Sequence, residues 1–250
     1  MTTRQEEVER ILKQSRQGQI FSVEHILVGH KSEFEESRNP PFGGTLVSPP
    51  DSPIRVFVGG VSEAMYPTAL IERNIVGVIN VAYSQCIESQ RMMKMSLESN
   101  SQWDKVEFSH EWYRAQLVNP SFQYLKIPAE DHPKYKIGKH FEECIDFLNS
   151  IEETAKRNSS NIVPGVLVHC MQGYNRSVAI CVAWLLRRFK SNLVDAVSRI
   201  SAQRPLILSN RAFIRELVLF EELNKREENQ HIMDEKKRQI FSIGEIVERV

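Results

Sequence analysis

The sequence predicts an α/β fold: a central twisted sheet, mostly parallel, with helices on both faces, in a single domain. Three observations predict it. Short β-branched runs alternate with amphipathic helical stretches, the rhythm of strands crossed over by helices. The composition, 41% hydrophobic and 26% charged, is that of a globular protein able to bury a core. At 250 residues the chain lies between one large domain and two small ones, which points to one core plus arms.

The elements follow in order. Thr3 to Gln17 places Val8, Ile11 and Leu12 at helical spacing among charges, a short amphipathic helix. Arg38 to Pro53 is dense in Pro and Gly, which resist regular structure, so residues 1–53 read as a helix and an arm ending in a linker. Ile54 to Gly59 is a strand, Ser62 to Arg73 a helix, and Val76 to Ala82 a second strand. Ser84 to Asn119 is polar and has no strong period; with residues up to about 122 it reads as an insertion with some helix, anchored by burial of Trp103, Trp112 and Tyr113. Tyr124 to Pro128 resumes a short strand. Lys139 to Thr154 is a helix with Phe141, Ile145 and Leu148 on one face, and Gly165 to Val168 is a buried strand. Helices over Ser177 to Phe189, Leu193 to Ala202 and Ala212 to Lys225 complete a domain of residues 54–225. Residues 226–250 form a C-terminal arm. In it, Lys236-Lys237-Arg238 followed by Ile240, Phe241 and Ile243 has the look of a kinase docking motif, although an amphipathic tail packed on its own domain is the plainer expectation. Gln19 to Leu27 and Gln239 to Val247 resemble each other, so the two arms could dock on similar grooves or on one another.

Charge excludes several partners. Lys plus Arg total 32 and Asp plus Glu total 32, so there is no basic surplus for nucleic acid or an anionic membrane. Four Cys without a CxxC pair argue against a disulfide framework and against zinc; an intracellular, reduced protein of the cytoplasm or nucleus is expected. The amino terminus shows no apolar stretch for a signal peptide and, with Thr2, no glycine for myristoylation. The longest apolar run, Val178 to Leu186, is too short to span a bilayer.

The informative stretch is Gly165 to Ser177, GVLVHCMQGYNRS, followed at once by an apolar helix. A loop between a buried strand and a helix N-terminus aims several backbone N–H groups into one concavity, and the helix dipole favours an anion there. The amides of Met171, Gln172, Gly173, Tyr174 and Asn175 would form such a nest. Gly173 permits the tight turn, and Arg176 can add a bidentate fork to two phosphate oxygens. Cys170 sits at the mouth of the same nest, where that field stabilises a thiolate. A lone buried thiol is more often inert; the residues around this one reverse that expectation. A loop that binds phosphate and ionises a thiol suits attack on phosphorus, with neither metal nor cofactor.

At these residues the chain resembles the cysteine-dependent protein phosphatases, whose signature is His-Cys, five residues, then Arg and Ser or Thr. Arg55 to Ala82, Lys126 to Leu148 and Arg204 to Glu221 resemble the dual-specificity branch, so the likeness covers Ile54 to Leu223 apart from the insertion. It implies a phosphatase-like fold with Cys170 as nucleophile, Arg176 as phosphate clamp, Asp131 as general acid, Ser177 as a donor easing departure of the sulfur, and His169 as an orienter of the loop. Glu130, beside Asp131, stays open as the acid. The implied activity is hydrolysis of phosphotyrosine and phosphoserine or phosphothreonine in proteins. The implied partner is a phosphorylated protein, for which the C-terminal motif points to a MAP-kinase-like kinase; the oligomeric state is not readable. Two positions depart from the pattern of many family members: Gln172 stands where a small residue precedes the loop glycine, and Asn175 where a serine precedes the arginine. The Gly-x-Asn-Arg-Ser ending also resembles RNA 5′-triphosphatases of the same superfamily, which keeps that substrate as an alternative, beside a docking protein that binds phosphoproteins without turnover. Cys86 could serve as a resolving thiol for oxidised Cys170, but a structural thiol is the plainer reading, and Cys144 and Cys181 read as core.

Overall fold

The structure is a computed structural model that describes residues 3–27, 43–95, 102–157, 162–204 and 206–247. Five strands, β1 (Thr45–Leu46), β2 (Arg55–Gly59), β3 (Ile75–Asn80), β4 (Gln123–Lys126) and β5 (Gly165–His169), form one sheet in the order β1-β2-β5-β3-β4. All neighbours run parallel except β1, which pairs antiparallel with β2 at the edge. β5 is central and buried along its whole length. Its period-2 alternation feeds two cores. Val166 and Val168 join Val56 and Val58 on one face, and Leu167 joins Phe57 and Val78 on the other.

Helices cover both faces. The larger core takes α7 (Phe141–Arg157), α8 (Arg176–Phe189), α9 (Leu193–Ser201) and the first turns of α10 (Arg211–Val247). The smaller takes α2 (Val61–Ala64), α3 (Pro67–Glu72) and α6 (His110–Gln116) through Ala64, Leu70 and Tyr113. Parallel pairing sets Gly59 and Asn80 on either side of His169, so three strands end at one level. The loops that follow them gather there, the usual place for a site in a parallel sheet.

Several elements differ from expectation. The helix expected over Ser62 to Arg73 is two short helices, because Pro67 disfavours helical backbone at Tyr66, which is extended (φ −115°, ψ 92°). The Pro- and Gly-rich linker contributes β1, an edge strand that covers β2. The insertion carries more helix than its weak periodicity indicates: α4 (Tyr83–Met95), α5 (Gln102–Lys105) and α6. Buried Gln90 of α4 donates to the carbonyls of Trp103 and Val106, and the Tyr113 hydroxyl donates to Ala64 O (3.0 Å), so side-chain hydrogen bonds hold together what a hydrophobic pattern does not announce. Tyr113 is fully buried and Trp103 and Trp112 are partly so, as anchoring requires.

The terminal helices differ most. α1 (Arg4–Leu27) is longer than the predicted Thr3 to Gln17, and it is part of the fold: Val8 and Leu12 are buried in the larger core. Ser15 Oγ donates to Ser201 O (2.9 Å), and Arg4 pairs with the buried carboxylate of Glu221, which also accepts the Leu193 N–H (2.9 Å) at the start of α9. α10 does not end at Lys225. Its apolar face stops near Phe220, yet the backbone is helical to Val247, and i,i+4 pairs such as Gln230 with Asp234 and His231 with Glu235 support its middle turns. Among the described residues, no helix is long and apolar enough to cross a membrane.

If α1 is structural, Leu12→Ala should lower the unfolding free energy by about 2–5 kcal/mol, the usual cost of emptying a buried leucine site. Guanidinium denaturation of the full chain measures this. A loss below ~0.5 kcal/mol would show α1 to be only loosely attached.

Candidate active site

The segment from Cys170 to Asn175 links β5 to α8. Each peptide is planar and trans, so a carbonyl facing outward aims the following N–H inward. Four carbonyls in this loop are tied from outside: Met171 O by Val61 N–H (3.0 Å), Gln172 O by Arg204 Nη2 (3.4 Å), Gly173 O by Arg204 Nε (2.9 Å) and Tyr174 O by Leu208 N–H (2.8 Å). The amides from Gln172 to Asn175 are thereby turned toward the cradle. Gly173 has φ +73°, and a Cβ there would lie 2.6 Å from Gly59 C and from Arg204 Nη2, so no other residue fits. Leu208 also adopts positive φ (50°), a strained backbone that delivers its N–H to Tyr174 O.

Cys170 is buried at the base of this cradle. Its Sγ accepts the Gly173 N–H (3.2 Å) and the Ser177 hydroxyl (3.3 Å). Burial pushes the thiol up, but the Ser177 hydroxyl and amide, the Arg176 charge and the Gly173 amide outweigh it and hold Cys170 below the ordinary thiol range. Arg176, 4% exposed, donates from Nη1 to Ala129 O (3.1 Å), while its buried Nε has no partner among the described residues. A buried guanidinium with an unmet donor is a demand for an acceptor, and an oxyanion in the cradle meets it. His169 is fully buried, and burial holds its imidazole down at about 4, so it is neutral near pH 7. The tautomer with a proton on Nδ1 donates to Cys170 O (3.3 Å), which orients the loop.

The cradle opens into a cleft of about 700 Å³ lined by Met171, Gln172 and Arg176 together with Glu130, Asp131 and His132. Asp131 is exposed, yet both of its oxygens are engaged. Oδ2 accepts from Asn175 Nδ2 and Oδ1 from Asn210 Nδ2, each at 2.9 Å. On the other side of the Asn175–Asp131 contact a second pocket is lined by Asp131, Asn175, Ser209, Asn210, Arg211 and Arg215.

Cys170, Arg176, Ser177 and the amides of residues 172–175 lie together in one loop, and Asp131 lines the same cleft as Arg176; Met171, expected to offer its amide, instead bonds Val61 through its carbonyl and lines the cleft. Sequence reasoning did not find Ala129, Arg204, Leu208 or Asn210. Arg204, Leu208 and Asn210 lie in the stretch Arg204 to Glu221 that resembles the dual-specificity branch, so the signal is present without a role. The other cysteines are of a different kind. Burial pushes Cys86 up to about 12, and Cys144 and Cys181 higher, and all three are free thiols. Cys86 donates to Asn80 Oδ1 (3.6 Å) and touches Met171 Sδ (3.6 Å), a packed thiol rather than an activated one. The backbone is helical through the Lys236-Lys237-Arg238 stretch, but the side chains of Lys236, Lys237, Ile240, Phe241 and Ile243, and those of residues 19–27, lie outside the described residues.

Comparison with known proteins agrees with this geometry. The profile of the dual specificity phosphatase catalytic domain matches residues 56–223, well over half of the chain. A probable dual specificity protein phosphatase of Dictyostelium discoideum is 35% identical over 129 residues, 51% of this chain and 29% of that protein. Human dual specificity protein phosphatase 14 is 32% identical over 102 residues, 41% of this chain and 48% of its own length. The chain thus spans between about a quarter and a half of the curated relatives it matches. Among solved structures, human DUSP28 superposes with a TM-score of 0.50 at 22% identity, covering 74% of this chain and 97% of its own. A mouse dual specificity phosphatase complexed with zinc tungstate gives 0.52 at 21% identity, covering 78% and 96%. These two speak for the fold. On the profile match, which takes in β3 to β5 and all but the first residue of β2, the Asp131 loop, the Cys170 cradle and the start of α10, the chain belongs to the dual specificity phosphatase family.

Proposed function

We propose that the protein hydrolyses phosphotyrosine and phosphoserine or phosphothreonine in proteins through a phosphocysteine intermediate. The observation that carries the reading is the base of the cradle, where a buried thiol with two donors on its sulfur lies beside a buried guanidinium with an unmet Nε. Cys170 Sγ, as thiolate, attacks phosphorus in line; the P–S bond forms as the P–O bond to the side chain breaks, and Asp131 gives its proton to the departing oxygen. Water then attacks the phosphocysteine while the Asp131 carboxylate takes its proton, releasing phosphate and the thiolate. The cradle amides and Arg176 hold the equatorial oxygens in both steps, and the Ser177 hydroxyl stabilises the leaving sulfur. The tungstate reported with the mouse relative is an oxyanion of similar shape, which supports the anion-binding reading.

The charges favour a single phosphate. Glu130 and Asp131 line the same cleft as Arg176, so a polyanionic RNA 5′-triphosphate would meet two carboxylates for one guanidinium. A phosphoprotein side chain brings less charge. The basic run Lys236 to Arg238 with its spaced apolar residues supports a MAP-kinase-like kinase as one substrate, on sequence alone. Residues 54–225 are the proposed catalytic unit. A low-pKa catalytic thiol survives best in the reducing cytoplasm or nucleus, where we place the protein.

Hydrolysis of p-nitrophenyl phosphate in chelator should disappear in Cys170→Ser and Arg176→Ala; full turnover by Cys170→Ser would end the proposal. A doubly phosphorylated kinase-loop peptide should be dephosphorylated in preference to a triphosphate-ended RNA. Asp131→Asn should slow phenyl phosphate about a hundredfold, with a much smaller loss on p-nitrophenyl phosphate, whose leaving group needs little proton assistance. Ser177→Ala removes a donor from the thiolate and so raises the Cys170 pKa. Because activity is lost as pH falls through that pKa, the acid limb of kcat/KM should move to higher pH, and an unmoved limb would show that the hydroxyl does not act on the sulfur.

A further inference from the structure

We infer that Asn175 is a positioning residue for Asp131: its amide bridges the phosphate loop to the general-acid loop and favours the carboxylate that forms when Asp131 gives up its proton. The inference rests on the phosphatase reading above and assigns a role to a residue that departs from the usual serine.

The orientation of the amide is settled by its other contacts. Asn175 Oδ1 accepts from Ser209 N–H (2.8 Å), Ser209 Oγ (3.1 Å) and Asn210 N–H (3.4 Å). Backbone N–H groups cannot accept, so the oxygen must face them and Nδ2 must face Asp131, at 2.9 Å from Oδ2. Asn210 is oriented in the same way. Its Oδ1 accepts the Ala212 N–H (3.1 Å) in the first turn of α10, leaving Nδ2 to donate to Asp131 Oδ1 (2.9 Å). Two amides of fixed polarity thus clasp one carboxyl, and each can only donate to it.

Donation has a direction in the reaction. Hydrogen bonds to an ionised carboxylate are stronger than those to the neutral acid, so both strengthen as the proton passes from Asp131 to the departing oxygen. An interaction that grows along the reaction coordinate lowers the barrier rather than merely binding the ground state. A serine in place of Asn175 has one oxygen on a shorter arm and cannot both satisfy the Ser209 and Asn210 amides and reach Asp131. The remaining charges around Asp131 are Glu130 and His132 on its own loop, Arg176 at the start of α8, and Arg211 and Arg215 on α10. None of these is altered by a change at position 175.

The test uses the full chain and a series of aryl phosphates. Asn175→Ser should lower kcat/KM for phenyl phosphate about tenfold to a hundredfold, the scale of one charge-assisted hydrogen bond, with less than about a threefold loss on p-nitrophenyl phosphate. In an Asp131→Asn background Asn175→Ser should have little further effect on phenyl phosphate. A loss equal across the series or additive losses in the double variant each overturn the inference, since a purely structural role predicts those outcomes. Wild-type protein that fails to turn over p-nitrophenyl phosphate overturns the phosphatase reading itself; wild-type turnover with either of the two outcomes above overturns this inference alone.

Discussion

Everything in the cleft depends on one constraint of the peptide group: an amide can face an anion only if the carbonyl on the same peptide is satisfied on the other side. The cradle meets that demand from three separate elements. Val61 at the start of α2 takes Met171 O, Arg204 after α9 takes Gln172 O and Gly173 O, and Leu208 takes Tyr174 O at the cost of a left-handed backbone. The sheet supplies the frame, because β2 and β3 end level with His169 and so bring the α2 start close enough to bond the loop. An oxyanion site built this way needs little formal charge, which fits a chain whose charges sum to zero and a cleft where Arg176 stands against two carboxylates.

The four cysteines show how much such surroundings matter. All are buried, and burial alone drives each toward the neutral thiol. Only at Cys170 do a hydroxyl and an amide donate to the sulfur and, with the Arg176 charge, reverse the sign. Cys86, near the same cradle, donates its own proton to Asn80 Oδ1 and stays a thiol. Reactivity here follows the donor count, not depth.

Much of this was legible in the sequence, and what was legible was local. The strand, the cradle and the helix that follows are contiguous from Gly165 to Phe189, so Cys170, Gly173, Arg176 and Ser177 could be read together. Asp131 lies 39 residues before Cys170 by number; no local pattern joins them, and only the family likeness named it. The supports are further away still. Ala129, Arg204, Leu208 and Asn210 act through a carbonyl, a guanidinium, a backbone amide and a carboxamide whose partners are set by tertiary structure. Asn175 looked like a deviation because its meaning lies in Ser209 and Asp131 rather than in its neighbours. The fold was misread where polar bonds replace apolar periodicity, in the helices of the insertion and the far half of α10, and where two residues of a Pro-rich stretch add an edge strand.

α10 runs for 37 residues, about 55 Å at 1.5 Å per residue. Its first residues follow Asn210, its next turns are locked into the core by Phe213, Leu217 and Phe220, and Glu227 and Glu228 still reach Arg187 and Lys190 of α8. The helix is therefore clamped along its first half. Past that clamp the described side chains of residues 229–235 are mostly exposed, so that stretch can change sequence without retuning the chemistry beside Asp131.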